Sequence, residues 1–125
     1  MEFFYGKLPD EPGDKKVRVI KRDESIPMVC GDINKILVEY FVSTDRMHCG
    51  IFTVPPNSRG EDTPPHEGDE FYYVIKGQGV LAVEEKQYYR IGAGESGYLP
   101  AGYNHYWLNF SEETLEVLFV LAPDM

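Results

Sequence analysis

Positive charge is scarce in this sequence. Its 12 lysines and arginines stand against 21 aspartates and glutamates, which gives a formal net charge of −9. A surface of this sign repels the phosphates of nucleic acids and the anionic face of a membrane. We therefore expect a small molecule as the partner, and neither a nucleic acid nor a membrane.

Long apolar runs are also missing. The amino terminus contains no uninterrupted apolar core of signal-peptide length, and no later run approaches the roughly 18 residues that a membrane span needs. These absences favour a cytoplasmic protein. The sequence has only two cysteines, Cys30 and Cys49, which form no C-x-x-C pair. We expect reduced, partly buried thiols, with a reactive Cys49 as the alternative.

No convincing long helix signal occurs. Gly, Pro, Asn and Asp instead divide the chain into short segments rich in Val, Ile, Tyr and Phe, which is typical of strands. Strands are predicted at 17–22, 34–43, 46–54, 70–76, 79–85, 87–91, 95–99, 104–110 and 114–122. Many short strands without helices must close or stack, so an all-β barrel or jelly roll is expected. We expect one barrel domain at 17–125 and an N-terminal arm at 1–16.

Histidine is rare, with three residues in the chain, and one of them follows a recognisable turn. Gly94, Pro100, Gly102, His105 and Asn109 follow the spacing G-x5-P-x-G-x2-H-x3-N. Proline pre-sets its φ and glycine tolerates positive φ, so a tight turn is expected just before His105. A histidine at the mouth of such a turn is well placed as a ligand.

A second group of polar residues lies upstream, where His66 and Glu70 precede Gly77. On one straight strand the His66 and Glu70 side chains would stand roughly 13 Å apart, too far to share an ion. Gly68 and Asp69 are suitable turn residues, and a reversal there would bring the two side chains back to one point. We therefore expect a turn between them.

These two segments resemble the two motifs of the cupin superfamily, whose members are small RmlC-like jelly rolls, or double-stranded β-helix barrels, that usually hold a divalent metal. The second motif matches at all five positions. The first, G-x5-H-x-H-x3or4-E-x6-G, matches in part: His66 takes the second histidine's place, Glu70 the acid's, while Pro64 replaces the first histidine and Ser58 a turn glycine. The resemblance covers roughly residues 54–122.

A second alignment of the first motif is open. Starting at Gly60 makes His66 the first histidine, but it puts Gly68 at the second and Tyr72 or Tyr73 at the acid. We prefer the alignment on Glu70, because it keeps a carboxylate at a ligand position.

The resemblance implies three protein ligands, His66, Glu70 and His105. Two histidines and one carboxylate form a facial triad, which is characteristic of non-heme Fe(II) oxygenases and leaves up to three positions open. The fosfomycin-forming epoxidase, a cupin branch, is similar in its His-x3-Glu and later His. Fe(II) is favoured, with Mn, Ni or Zn as alternatives. A metal-free cupin in which these histidines bond loop carbonyls is the structural alternative.

Other residues are predicted to act on the substrate. Tyr72 and His48 are candidate proton-transfer groups, although His48 could also lie on the outer surface. Trp107, Tyr103 and Arg59 are expected to line the substrate pocket. An ordinary core position is the alternative for Trp107, and a solvated position is the alternative for Arg59.

Strand 70–76 is apolar on both faces. If Glu70 and Tyr72 point inward, then Phe71, Tyr73 and Ile75 point outward. An outward apolar row is expected to be covered by another sheet or a second subunit, so a homodimer is predicted, with the arm docking on the partner.

Three functions remain open at this point. The first is oxygen-dependent chemistry of the dioxygenase or oxidase type on an oxygen-rich or enolisable substrate. The second is metal-dependent isomerisation or decarboxylation. The third is binding of a metabolite without catalysis. One scaffold hosts many reactions, so the choice depends on the site.

Overall fold

A computed structural model of the protein describes residues 2–4, 15–31, 34–60, 63 and 65–123, the first three by their backbone alone. The described residues form eleven β-strands and one 3₁₀ helix, Arg22–Glu24. The strands are β1 Glu2–Phe4, β2 Ile26–Cys30, β3 Ile36–Ser43, β4 His48–Val54, β5 Ser58–Arg59, β6 Asp69–Lys76, β7 Gln78–Val83, β8 Gln87–Gly92, β9 Ser96–Leu99, β10 His105–Asn109 and β11 Leu115–Ala122. In this part of the chain, no helix has the length and hydropathy that a membrane crossing requires.

The strands form two sheets. The larger has the order β1-β2-β3-β4-β11-β6-β9, and the smaller has the order β5-β10-β7-β8. Neighbouring strands run antiparallel throughout, for example β6 against β11 and β7 against β10. The apolar core lies between the inner faces of the two sheets. The predicted all-β jelly-roll barrel is confirmed.

Side-chain alternation on β6 follows the prediction. Glu70, Tyr72 and Val74 are buried in the interior, whereas Phe71, Tyr73 and Ile75 are 42%, 40% and 42% exposed. The strand ends at Gly77, whose φ is +80°. A Cβ there would lie 2.7 Å from the Thr114 carbonyl oxygen, so only glycine fits this hairpin.

The predicted strand at 17–22 is wrong. Residues 17–21 belong to no strand, and the 3₁₀ helix Arg22–Glu24 follows them. Val17 and Val19 are fully exposed, so these alternating side chains do not pack against a sheet. Arg22 instead binds the carboxylates of Glu39 and Glu116, both at 2.9 Å, on the larger sheet. The first strand after this segment is β2, which the sequence analysis did not predict.

Two predictions fall partly on undescribed residues. The predicted arm, 1–16, contributes β1, which pairs with β2, but residues 5–14 lie outside the described residues. Pro64, the residue at the first histidine's place, also lies outside them. The boundary between arm and barrel and the fate of that ligand position therefore stay predictions.

Candidate metal centre

The two sheets bring the three predicted ligands together from separate strands. Glu70 is the second residue of β6, after a bend at residues 67–68 that turns His66 back toward it. His105 opens β10 in the opposite sheet. The His105 backbone also exchanges two hydrogen bonds with Thr63, at 2.7 and 3.1 Å, which aligns the segment before His66 with β10.

The ligand atoms converge on one point. Nε2 of His66 lies 3.3 Å from Oε1 of Glu70, and Nε2 of His105 lies 3.4 Å from the same oxygen. All three ligand atoms fall within 4.8 Å of one another. Glu70 and His105 are buried, and His66 is partly buried. The predicted convergence of these residues through a turn is confirmed.

Hydrogen bonds on the far side of each ring determine which nitrogen faces the carboxylate with a lone pair. Nδ1 of His66 lies 2.9 Å from the Gly68 carbonyl oxygen, and Nδ1 of His105 lies 3.1 Å from that of Tyr103. A carbonyl only accepts, so each Nδ1 carries a proton and donates it. In the neutral ring, Nε2 is then an acceptor that faces another acceptor, Glu70. Such a contact requires a proton or a metal cation between the groups.

The separations suit a metal ion. Two adjacent ligands of an octahedral ion with bonds of about 2.1 Å lie about 3.0 Å apart, close to the distances found here. Ligating histidines also commonly donate their other ring N–H to a backbone carbonyl, as His66 and His105 do. The donor set of two imidazoles and one carboxylate therefore fits a divalent transition ion.

The same contacts shift the pKa values of the cluster. Burial raises the pKa of Glu70, but hydrogen bonds from His105 and His66 outweigh burial, and the pKa lies below its ordinary value. The hydrogen bond with Glu70 raises the pKa of His66 above its ordinary value, against the opposing effect of burial. Without a metal, the cluster therefore favours a carboxylate beside an imidazolium.

Tyr72 lies one inward position further along β6 and is 1% exposed. Burial, together with the charge and the hydrogen bond of Glu70, raises the pKa of Tyr72 well above its ordinary value. The phenol is therefore protonated at neutral pH, and it lies beside the Glu70 carboxylate on the same face of β6. This places the predicted proton-transfer group next to a candidate ligand.

His48 lies in the interior wall and not on the outer surface. His48 and Glu70 both pair with Leu121 from the two strands that flank β11, so all three point to the same side of the sheet. The Cα atoms of His48 and Glu70 are thus separated by two interstrand spacings, roughly 10 Å. Nδ1 of His48 and Oγ of Ser43 form a buried hydrogen bond of 2.7 Å.

Of the three predicted pocket residues, Trp107 faces the interior. Its ring packs edge-to-face against Tyr72, with centroids 5.1 Å apart, and against Phe52 at 5.7 Å. Tyr103 lies in the turn before β10, where its side chain is exposed and its carbonyl holds His105.

Arg59 lies elsewhere. It pairs with Leu108, which alternates with Trp107 on β10 and so points to the opposite face. Its guanidinium stacks on Tyr106, 3.9 Å from the ring centroid, on that outer face. This placement does not support the predicted pocket role of Arg59. The register of the two-residue strand β5 decides the face, and no local pattern reveals that register.

Two carboxylates, Asp69 and Glu84, hold the loop before His105, a role that the sequence analysis did not predict for them. Asp69 Oδ1 accepts a hydrogen bond of 2.9 Å from the Ala101 N–H, and Glu84 Oε2 accepts one of 2.6 Å from the Asn104 N–H. The Glu84 N–H also donates to the Asn104 carbonyl at 2.9 Å. The partners are far apart in sequence, so no local signal could have found them. We call these three bonds the carboxylate clasp.

The protein-family model described as Cupin domain matches residues 50–121. The match spans more than half of the chain, and the protein therefore belongs to the cupin family. This confirms the family predicted from the two motifs. A search of curated proteins found no match.

Solved structures share the fold. The cupin domain of Cnp3 from Schizosaccharomyces pombe is 13% identical with a TM-score of 0.66, over 71% of this chain and 65% of that one. A predicted oxalate decarboxylase from Thermotoga maritima is 20% identical with a TM-score of 0.73, over 85% and 99%. FeII HppE is 16% identical with a TM-score of 0.74, over 86% and 62%.

At these identities the likeness establishes the fold alone. This chain spans 65% of the Cnp3 domain and 62% of HppE, so it corresponds to about two thirds of each.

Proposed function

We propose that this cupin is a metal-dependent enzyme that binds one divalent transition ion, with Fe(II) favoured, through His66, Glu70 and His105. The observation that carries the proposal is the meeting of two imidazole acceptors and a carboxylate at 3.3 and 3.4 Å in a buried site. A cation relieves this contact, and the donor types match the Fe(II) facial triad.

The favoured activity is oxygen-dependent chemistry, of the dioxygenase or oxidase type, on an oxygen-rich or enolisable small molecule. A bound ion with three protein ligands supplies a Lewis acid with up to three further positions, enough for a bidentate substrate and dioxygen. The fold likeness to FeII HppE is consistent with this choice of metal.

The chain's own residues would prepare this site in two ways. The rings of Phe52, Tyr72 and Trp107 form an apolar wall that excludes water from the interior. The Tyr72 hydroxyl keeps its own proton beside the Glu70 carboxylate and could pass it to an oxygen of a bound substrate. His48, fixed by Ser43, is a second group able to carry a proton at this level of the barrel.

A metal-dependent isomerase or decarboxylase is the second candidate, and Tyr72 is the observation that favours it. A buried phenol kept protonated beside the metal ligands suits proton delivery to an enolate, a step that needs no oxygen. The fold likeness to a predicted oxalate decarboxylase is compatible with this alternative.

Metal content and oxygen dependence separate these functions. Protein purified without chelators is assayed for metals, then stripped and reconstituted anaerobically with Fe(II), Mn(II), Zn(II) or Ni(II). We expect one ion per chain, and oxygen uptake by the Fe(II) form with diketones, phenols or 2-oxo acids. Turnover that persists without O2 would favour the second candidate. Binding of these compounds without turnover in every metal form would favour a metabolite-binding protein over an enzyme.

Alanine variants test the ligand set. Replacement of His66, Glu70 or His105 by Ala should abolish stoichiometric metal uptake. Glu112→Gln, which changes an exposed acid at the opposite end of the barrel, should retain it. Full occupancy in any of the three alanine variants would remove that residue from the ligand set.

We also propose that the protein is a homodimer. The outward row of β6, Phe71, Tyr73 and Ile75, is a continuous and partly exposed apolar strip that a second subunit would cover. Size-exclusion chromatography with light scattering is the test, and a monomer of 14.3 kDa at micromolar concentration would refute the proposal.

A further inference from the structure

Few groups set the charge at the ligand cluster. Glu70 contributes one negative charge, and the two imidazoles, which donate through Nδ1 to carbonyls, are neutral when Nε2 binds a metal. With a divalent ion the centre therefore keeps one positive charge. A bound substrate with one negative charge would neutralise it.

Within the described part of the chain, the interior contains no lysine or arginine that could pair with a second negative charge on a substrate. Among the described residues, the buried polar or charged side chains are those of Ser43, His48, Glu70, His105 and Asn109, so no lysine or arginine is buried there. Outside the described residues the sequence contains one such residue, Lys7.

Two neutral donors lie beside the cluster instead. Tyr72 follows Glu70 on the inward face of β6, and its ring packs edge-to-face against Trp107, with centroids 5.1 Å apart. The indole nitrogen is buried and makes no hydrogen bond of normal geometry. A buried indole N–H normally has a partner, so a substrate oxygen is a suitable acceptor for it.

The end of the barrel nearest the cluster is acidic. Glu70, Leu121, His48 and Ser43 are paired in register, which places the chain segments next to them at one end of the barrel. We define the rim as residues 44–47, 67–69, 84–86 and 100–104. It carries five carboxylates and two cationic side chains, a net charge of −3: Asp45, Glu67, Asp69, Glu84 and Glu85 against Arg46 and Lys86. Arg46 lies 3.2 Å from Asp45, in an ion pair.

From these charges we infer that the site selects oxygen chelators with a single negative charge and excludes doubly charged ones, an inference that rests on the proposed metal-dependent function. A second negative charge would enter a buried site without a cation to pair with, which is costly. It would also be repelled at the rim during entry. Hydroxy acids, 2-oxo acids and enolates with one charge fit, whereas dicarboxylates and phosphate esters do not.

A matched pair of probes tests the charge preference. 2-Oxopentanoate and 2-oxoglutarate share the same chelating group and chain length and differ in a terminal methyl or carboxylate. Their affinities are measured by calorimetry on Co(II)-loaded protein at pH 8, where imidazoles are ordinarily neutral. We expect 2-oxopentanoate to bind at least about tenfold more tightly. The preference should shrink as salt is raised, because the rim is exposed.

Two substitutions add positive charge, one beside the cluster and one at the rim. Val83 is inward-facing and pairs with His105, so Val83→Lys adds a cation at the level of the cluster, with Val83→Met as the neutral control. The lysine variant should favour 2-oxoglutarate, and the methionine variant should keep the original order. If Val83→Lys does not fold, Glu67→Lys at the exposed rim should still improve 2-oxoglutarate binding several-fold.

The outcomes separate the two claims. Absence of metal uptake in these samples would remove the proposed function and this inference together. Full metal uptake with equal or tighter binding of 2-oxoglutarate would overturn the inference alone. So would a loaded protein that binds neither 2-oxopentanoate nor a second singly charged chelator, lactate.

Discussion

The two ends of the barrel interior differ, although the same strands build both. At the ligand end, β6 contributes Glu70 and β10 contributes His105, and their neighbours inward are Tyr72 and Trp107. At the opposite end, Val54, Val74, Leu115 and Val117 have no exposed surface at all. One end carries a contact between acceptors that needs a cation, while the other carries ordinary apolar packing. The fully buried apolar packing and the candidate metal centre are therefore separated along the strands.

The difference explains how a small domain tolerates an unfavourable polar cluster. Apolar burial contributes about 25 cal/mol per Å², and the fully buried aliphatic residues concentrate this contribution away from the ligands. Changes at the apolar end should alter the free energy of unfolding, and changes at the ligand end should alter metal binding.

The largest effect on stability should follow from Leu115→Ala. Removal of a fully buried side chain leaves a cavity and should lower the free energy of unfolding by about 3 kcal/mol. Urea denaturation measures this loss. The folded variant should still bind one metal ion per chain, and loss of metal from folded protein would show that the two ends are not separate.

Asn109→Ala should have the next largest effect. The Asn109 amide donates to the carbonyls of Val54, Pro55 and Glu113, at 3.1, 3.1 and 2.7 Å, in a fully buried position. Its loss leaves buried carbonyls unsatisfied and should cost about 2 kcal/mol of stability. Ser111→Ala removes a part-buried hydroxyl that donates to Asn109 and bonds to the backbone of Glu113; it is the matched control and should cost less. Equal losses would contradict this account.

Between pH 6 and pH 8, the stability of the metal-free fold and its stabilisation by added metal should change in opposite directions. The pKa of Glu70 is lower in the folded than in the unfolded chain, so its ionised form stabilises the metal-free fold at pH values above about 4.5, the unfolded pKa. This stabilisation is lost as the pH falls through the folded pKa. The raised pKa of His66 stabilises it below about 6.5, and this stability is lost as pH rises through the folded pKa.

Metal binding needs a neutral Nε2 and therefore competes with the proton on His66. The increase in Tm caused by stoichiometric metal should grow between pH 6 and pH 8. Calorimetry with and without metal measures this increase. A metal effect that is constant over this range would show that His66 does not exchange a proton for the ion.

The smallest effect should come from Glu85→Gly at the rim. Glu84 and Glu85 both have positive φ, +55° and +54°, in the turn between β7 and β8. Such angles are unfavourable for residues other than glycine, so the variant should gain about 0.5–1 kcal/mol in stability. Thermal unfolding measures the gain. Because the clasp uses Glu84 and not Glu85, metal uptake should stay unchanged, and a loss of stability would contradict the assigned strain.

Several of these features were predictable from the sequence. The cupin resemblance, carried by the spacing of the two motifs, pointed to His66, Glu70 and His105, and the structure brings these side chains together. The alternation on β6 correctly separated Tyr72 from its outward neighbours. Both results depend on local geometry, in which one turn or one strand determines where a side chain points.

The features that were missed depend on contacts between distant segments. The face of Arg59 depends on how β5 aligns with β10, and the clasp joins residues up to 32 positions apart. The segment at 17–22 has the alternation of a strand, but Arg22 docks on Glu39 and Glu116 instead. The alternation of apolar residues shows how a segment could pack, but only the tertiary fold determines which segment it packs against.

The carboxylate clasp has a mechanical consequence. Asp69 belongs to the larger sheet and Glu84 follows the last strand residue of β7 in the smaller one, so the loop at 100–104 is tied to both. A bound molecule wide enough to separate the two sheets must lengthen one of these hydrogen bonds or move His105 away from Glu70. The width of the barrel and the distance between His105 and Glu70 are thereby coupled. On the proposed metal function, a molecule too large for the interior would weaken the binding of the ion.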